Sequence, residues 1–597
     1  MSIAFSRRAV VGGLGAAALP VGLAAQSPEG GPNRAFAALS ARWLEATTRL
    51  SPISATQLGD HRFDAEIDDV SPAGRAAADR TSRALLADLM AINRARLSRA
   101  NQIDAAMLAN QLRYDIWTRN TLQDWAWDPL IYNSLAGDAL YTLMARDFAP
   151  IGGRLASATA RMEKIPALLA QARRNLDPAR VPLVHAQTVA KQNKGISGLV
   201  SELITPHAKH LYPESANRLA AATRALDAAV SEHQDWIDKV LVPGAKGDFR
   251  LGARLYDAKL AFVLDSPLSR QEIRTRADAA VIATRIEMYA LARTALAGKP
   301  GAPATPDSPT PEQQQAVIAA ALDIAAADHP ARDQVVEAAK QGLAEATAFV
   351  KARDLITLPA SPVQVILMPV FQRGVAVAYC DAPGPLDRRL ATFYAVSPIP
   401  DDWTAARTES FLREYNRRGI DDIATHEAMP GHYVQLAHSN AFPSVLRSVL
   451  SSGPFVEGWA VYAESMMAQE GFQNGDPLYK LVVLKTKLRS ITNAILDQAI
   501  HVDGMSREDA MKLMMQTAFQ EEGEASGKWI RASVSSAQLP YYFVGSEEHW
   551  GIRREAEKRW GAGFSLKRYH DTVLSFGSPP ARLARAAMFD EAIGEAR

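Results

Sequence analysis

His426-Glu427-Ala428-Met429-Pro430-Gly431-His432 sets two imidazoles and a carboxylate close together in an apolar context. A His-Glu pair followed by a second His suggests a zinc-hydrolase helix. In the familiar His-Glu-x-x-His pattern the histidines sit at i and i+4 and share one helical face. Here the second His stands at i+6, about 600° around an ideal helix, so the rings diverge by roughly 120°. Pro430 disfavours α geometry at Met429 and removes a backbone donor. The helix is therefore expected to kink or bulge over Met429–Gly431 and to resume at His432. That distortion can swing His432 back towards His426. A capped helix end carrying two unrelated histidines is the other reading. Upstream, Gly419 reads as a helix stop and Asp421 or Asp422 as the cap of the motif helix.

Downstream, Gly453-Pro454 predicts a helix start and Gly471 its end. Between them Glu457 and Glu464 fall within about 20° of one another, on a stripe shared with Ala460, Val461 and Met467. Two acids on an apolar stripe are costly to bury without a cation or donors. Zinc commonly takes two histidines and a carboxylate, leaving a fourth position for water. On this reading Glu457 is the ligand, and Glu464 orients a ligand histidine from behind. A surface helix whose glutamates reach solvent is the alternative. A third helix, Leu478 to His501, carries Arg489, Asn493, Asp497 and His501 at successive i+4 steps. Asp497 then stands one turn from His501, where it can orient the imidazole. His501 reads either as a donor to a developing oxyanion or as half of a surface ion pair.

The rest of the chain narrows the class. Lys+Arg of 66 against Asp+Glu of 65 gives +1, which favours neither nucleic acid nor an anionic membrane surface. Ser6-Arg7-Arg8 precedes a mildly apolar Gly/Ala run ending Leu23-Ala24-Ala25-Gln26. Residues 1–25 resemble a twin-arginine export signal, with a generic secretory signal as the alternative. No other stretch approaches the ~18 apolar residues of a spanning helix. The single cysteine, Cys380, excludes an intrachain disulfide and reads as inert core. A periplasmic or secreted product without stable membrane insertion is expected.

Residues 33–296 read as helix almost throughout, for example Ala76–Ser98, Ala105–Thr118 and Ala216–Val240. The proline-rich stretch 298–311 cannot be regular structure and reads as a loop between an N-terminal helical half and a C-terminal half. After helices at Glu312–Ala327 and Ala331–Ala352 the period changes. Val363–Pro369, Val375–Cys380 and Leu390–Val396 predict a small β-sheet just ahead of the His-Glu motif. The fold class is mainly α: a large helical shell with a central cleft or channel and one small sheet beside the zinc-binding helix. Residues 26–597 are expected to form one unit. His207 and His210 have no clustered acid and read as solvated loop. A Gly-x-Ser-x-Gly elbow is missing from the sequence.

The motif His426–His432, followed by Glu457-Gly-Trp-Ala-Val-Tyr-Ala-Glu464, resembles the bacterial domain of unknown function family numbered 885. The resemblance is strongest from Leu251 to the C-terminus. In its site that family is similar to helical zinc peptidases of the thimet oligopeptidase and carboxypeptidase Taq kind, of the gluzincin type. The resemblance implies one zinc ion on His426, His432 and Glu457, with Glu427 as general base. It matches Arg489, Asp497 and His501 to a family helix, with Arg489, Asp497 and Glu464 in outer, supporting positions. Gln538-Leu-Pro-Tyr-Tyr542-Phe-Val-Gly545 resembles the family's Gln-x-x-x-Tyr-x-x-Gly, which implies Tyr542 beside His501 as an oxyanion donor. The chain departs from the family at Lys528-Trp529, where an acid and then Arg-Tyr are usual, and at Ser536-Ala537, where Pro-Gly is usual. The expected activity is hydrolysis of short peptides. A non-catalytic peptide-binding envelope protein and a zinc hydrolase of another amide or ester remain the alternatives.

Overall fold

The computed structural model describes residues 31–368, 377–387 and 390–594. The export-signal reading of residues 1–25 lies outside them, as do parts of the segments expected as strands. The described chain is mainly α with one three-stranded sheet. Among the described residues no helix is long and apolar enough to cross a membrane.

The elements that frame the motif are α1 (Arg99–Trp117), α2 (Leu130–Met144), α3 (Gly252–Leu264) and α4 (Val335–Arg353). They are followed by α5 (Arg417–Glu427), α6 (His432–Ala441), α7 (Gly453–Gln469), α8 (Pro477–His501), α9 (Glu522–Val534) and α10 (Pro540–Trp560). Strands β1 (Gln364–Leu367), β2 (Ala378–Asp381) and β3 (Phe393–Val396) lie in the order β1-β3-β2. β1 runs parallel to β3, with Gln364 opposite Phe393, and β2 runs antiparallel to it, with Cys380 opposite Tyr394. Tyr394 and Val396 join a core with residues of α4, α5, α7 and α10, so the sheet is packed directly onto the motif helices.

Several expected boundaries move for local reasons. The helix expected at Ala76–Ser98 runs from Pro72 to Ala91, because Ser71 caps it through Gly74 and Ser98 caps the next helix through Asn101. Pro311 is the first residue of a helix capped by Thr310 and Gln313, so the proline-rich loop ends one residue earlier. That loop is pinned by Tyr289, whose hydroxyl donates to the Pro306 carbonyl at 2.6 Å. Asn416, not Asp421 or Asp422, caps α5, its side chain accepting from the Gly419 N–H. Gly419 is therefore inside the helix.

The two halves are joined by ion pairs, one of them enclosed on both sides. Arg447 meets Asp104 of α1 at 2.6 Å with both side chains almost fully enclosed. Arg582 meets Asp265 at 2.7 Å, and Arg146 meets Asp381 of β2 at 2.6 Å. α8 is buried along most of its C-terminal half, including Asn493, Asp497, Gln498 and His501. Polar groups so enclosed must find partners on neighbouring elements.

α7 and α10 pair closely through two facing glycines. A Cβ on Gly545 would lie 1.9 Å from the Pro454 carbonyl oxygen, and one on Gly458 would lie 2.4 Å from the Gly545 Cα. Only glycine lets the backbones meet, and the contact sets Tyr541 and Tyr542, one turn before Gly545, level with Glu457. Gly545→Ala is expected to destabilise the fold by about 3 kcal/mol, read as a lowered thermal unfolding midpoint.

Candidate metal centre

α5 stops at Glu427, the second residue of the motif, and α6 starts at His432. The expected bulged helix is thus two helices joined by a four-residue link, Ala428 to Gly431, in which the Met429–Pro430 bond is cis. The link folds back onto the end of α5. Met429 N–H donates to the Ala424 carbonyl and Gly431 N–H to the Thr425 carbonyl, both at 3.0 Å. A Cβ on Gly431 would lie 1.9 Å from the His426 carbonyl oxygen, so glycine is required for the fold-back. The Trp459 indole of α7 donates to the Pro430 carbonyl at 2.9 Å.

The outcome is convergence. The His426 and His432 rings lie 4.7 Å apart and nearly perpendicular. Glu457 Oε2 sits 3.7 Å from His426 Nε2 and 3.4 Å from His432 Nε2. One ligand atom from each residue lies within 4.8 Å of the others. The i+6 spacing therefore brings the imidazoles together.

Glu464, two turns beyond Glu457 on α7, is enclosed and meets His426 Nδ1 at 2.5 Å through Oε1. With its one proton on Nδ1 facing Glu464, a neutral His426 would turn an Nε2 lone pair towards Glu457 Oε2. Two acceptors facing each other repel unless positive charge lies between them. The titration tendencies report the same demand. Burial disfavours a charged His426, yet Glu457 and Glu464 outweigh it and hold the imidazolium well above the usual range. Glu457 is also buried, and His426 and His432 nevertheless hold its carboxyl far below the usual range. Two imidazole nitrogens and a carboxylate oxygen are a donor set that zinc takes.

Glu427 turns to the sheet. Its Oε2 accepts the Cys380 N–H of β2 at 2.9 Å, on the edge of β2 away from β3. Burial raises its pKa, with His426 and His432 pulling the other way, so a base of raised proton affinity stands beside a candidate ligand. The Cys380 thiol is pushed well up by burial and by Glu427, in keeping with an inert thiol.

The family described as "Bacterial protein of unknown function (DUF885)" matches residues 52–588. The chain belongs to that family. A solved structure from Shewanella oneidensis, described as a "putative lipoprotein of unknown function", is 33% identical. The match covers 93% of this chain and 99% of that one, with a TM-score of 0.78. A "putative lipoprotein" from Colwellia psychrerythraea is 17% identical over 92% of this chain and 98% of that one, with a TM-score of 0.74. The latter likeness speaks to fold alone. No curated protein matches the chain.

In this DUF885 chain Tyr542 reaches the trio's neighbourhood. Burial and the charge of Glu457 both push its phenol up, and its oxygen accepts from Arg531 Nη2 at 3.1 Å. His501 does not stand free as an oxyanion donor. Its Nε2 faces the carbonyl oxygens of Ala532 and Ser535 at 2.9 and 2.8 Å. Asp497 lies 3.8 Å from that nitrogen, too far for a hydrogen bond, because it takes the Tyr256 hydroxyl of α3 at 2.9 Å. Arg489 meets Glu524 of α9 at 3.3 Å and supports no ligand of the trio. Buried polar groups of α8 thus hold the connection that leads from α9 into α10 and Tyr542, and are not in contact with the trio.

Residues the motif reading missed include Trp459, Gly458, Gly545 and Asp422. Asp422 is enclosed, and burial followed by the charge of Glu464 pushes its carboxyl well up. Its place four residues before His426 was the available signal, since that spacing shares a helical face. Glu464→Gln leaves the three candidate ligands intact but removes the charge beside His426 Nδ1. It is expected to weaken zinc binding by about 10–100-fold, measured by competition with a chromogenic chelator.

Proposed function

We propose that this chain is a zinc metallopeptidase acting on short peptides in the cell envelope. The observation that carries the reading is the meeting of His426 Nε2, His432 Nε2 and Glu457 Oε2, with Glu427 next in sequence to one of them. The likeness to helical gluzincin-type peptidases belongs to this proposal too, resting on the order His-Glu, His, Glu along the chain. Envelope location is supported by the lipoprotein description of the similar Shewanella oneidensis structure and by the signal-like N-terminus.

A zinc ion held by the trio would supply Lewis-acid chemistry, lowering the pKa of water from 15.7 to about 7 and polarising a carbonyl. The chain's own residues do the rest. Glu427 takes the water proton as the water oxygen bonds to the carbonyl carbon, and passes it to the nitrogen as the C–N bond breaks. Burial, which raises its proton affinity, suits it to hold that proton between the two events. The Tyr542 hydroxyl, kept protonated by burial and by Glu457, donates to the oxyanion. The outer edge of β2, where Glu427 is seated, is an edge to which an extended peptide can add.

Metal analysis of the mature protein is expected to give zinc at one ion per chain, and a short-peptide library is expected to be cleaved. Glu427→Gln should retain the zinc and lose at least about 100-fold in turnover. Zinc well below stoichiometry, or equal cleavage by the two proteins, would overturn the assignment.

A further inference from the structure

A second group of charged side chains lies on the far side of Tyr542. Lys528, on α9, is 5% exposed, and its ammonium has Glu524 Oε1 as a partner at 3.6 Å. That is too long for a good hydrogen bond, and an ammonium has three donors to satisfy. Arg489 approaches the same Glu524 oxygen at 3.3 Å. The other Glu524 oxygen accepts from the Tyr415 hydroxyl at 2.9 Å. Arg531, one turn along α9 from Lys528, is exposed and donates to Gln538 Oε1 at 2.9 Å as well as to Tyr542. Two cations therefore share the Glu524 carboxylate, and a third, Arg531, stands close enough to Lys528 to act on its charge. The nearby acid Glu414 is taken by Lys485 at 2.7 Å, and Glu521 by Arg413 at 3.4 Å.

An enclosed cation with an unfilled donor set, flanked by two more cations, is costly unless an anion completes it. Burial and the charge of Arg489 push Lys528 down to about 7, and a seated anion would reverse that push. Tyr542 links this cluster to the trio, feeling Glu457 on one side and accepting from Arg531 on the other. A tyrosine's reach corresponds to one or two residues of extended peptide at about 3.3–3.6 Å each.

We propose that Lys528 and Arg531, with Arg489 behind them, bind the α-carboxylate of a peptide's C-terminus one or two residues beyond the cleaved bond. The chain then acts as a carboxy-terminal exopeptidase or dipeptidase. This rests on the peptidase reading, and the test separates the two by measuring binding without turnover. Zinc-loaded Glu427→Gln protein is equilibrated with a mixed tripeptide library prepared as free acids and as C-terminal amides, and retention is read by mass spectrometry. Free acids are expected to be retained about 10-fold or more over amides. In the double variants Glu427→Gln/Lys528→Met and Glu427→Gln/Arg531→Gln the preference is expected to fall below about 3-fold. Arg531 is exposed, so its variant keeps the test standing should the Lys528 variant fail to fold. Equal retention of acids and amides by the Glu427→Gln protein, or no retention of either, would overturn the carboxylate pocket. So would an acid preference that survives both double variants. An acid preference lost in the variants supports the pocket even if the wild type cleaves nothing, an outcome that would overturn the peptidase reading alone.

Discussion

The site depends on how closely the backbone at Gly431 lies against the last turn of α5. A helix continuing through the motif would send the two histidines to different faces. Ending the helix at Glu427 and folding the link back onto the Thr425 and His426 carbonyls turns a six-residue interval into adjacency. That fold-back has no room for a Cβ at Gly431, and it is held from outside by Trp459. Trp459 stands two residues after Glu457, so the residue that clamps the link and the residue that completes the trio arrive on the same helix. The trio is a consequence of backbone contact before it is a consequence of side-chain chemistry.

Much of this was legible in the sequence because it depends on local rules. The break at Pro430-Gly431, the start of α7 at Gly453-Pro454 and the alignment of Glu457 with Glu464 all follow from backbone preferences and helical period. The small sheet showed itself through a change of period in Val- and Tyr-rich segments. What was not legible depends on contacts between distant segments. The i+4 ladder on α8 suggests that Asp497 serves His501, yet Asp497 bonds Tyr256, over two hundred residues earlier in the chain. Periodicity says which residues share a face and nothing about what that face meets. The cap of α5 fell to Asn416 for a related reason: several nearby residues are chemically able to cap, and tertiary packing chooses among them.

The polar residues of α8 acquire a different meaning from this. A helix buried over most of its C-terminal half cannot leave Asp497 or His501 unpartnered without cost. His501 spends its Nε2 on two carbonyls at the end of α9, and Lys259 of α3 donates to Ser536 at 2.8 Å. The connection from Ala532 to Leu539 is thereby fixed at several points, including Ala537 in the left-handed region at φ +58°. A non-glycine residue held there is a modest strain, maintained by the surrounding bonds. The segment so fixed leads directly into the turn that presents Tyr541 and Tyr542 beside α7.

Two charge demands of opposite sign then stand on either side of Tyr542. At the trio, lone pairs from two imidazoles and a carboxylate call for a cation. At Lys528 and Arg489, which share one glutamate, with Arg531 close to Lys528, an excess of positive charge calls for an anion. A protein selected for stability alone gains little from either, since enclosed charge with incomplete compensation is costly for a fold to carry. Under the proposed peptidase reading one ligand would answer both: a polarised carbonyl towards the trio and a carboxylate towards the cations. A peptide near its C-terminus carries both groups at that spacing, and an internal stretch of polypeptide carries only the first.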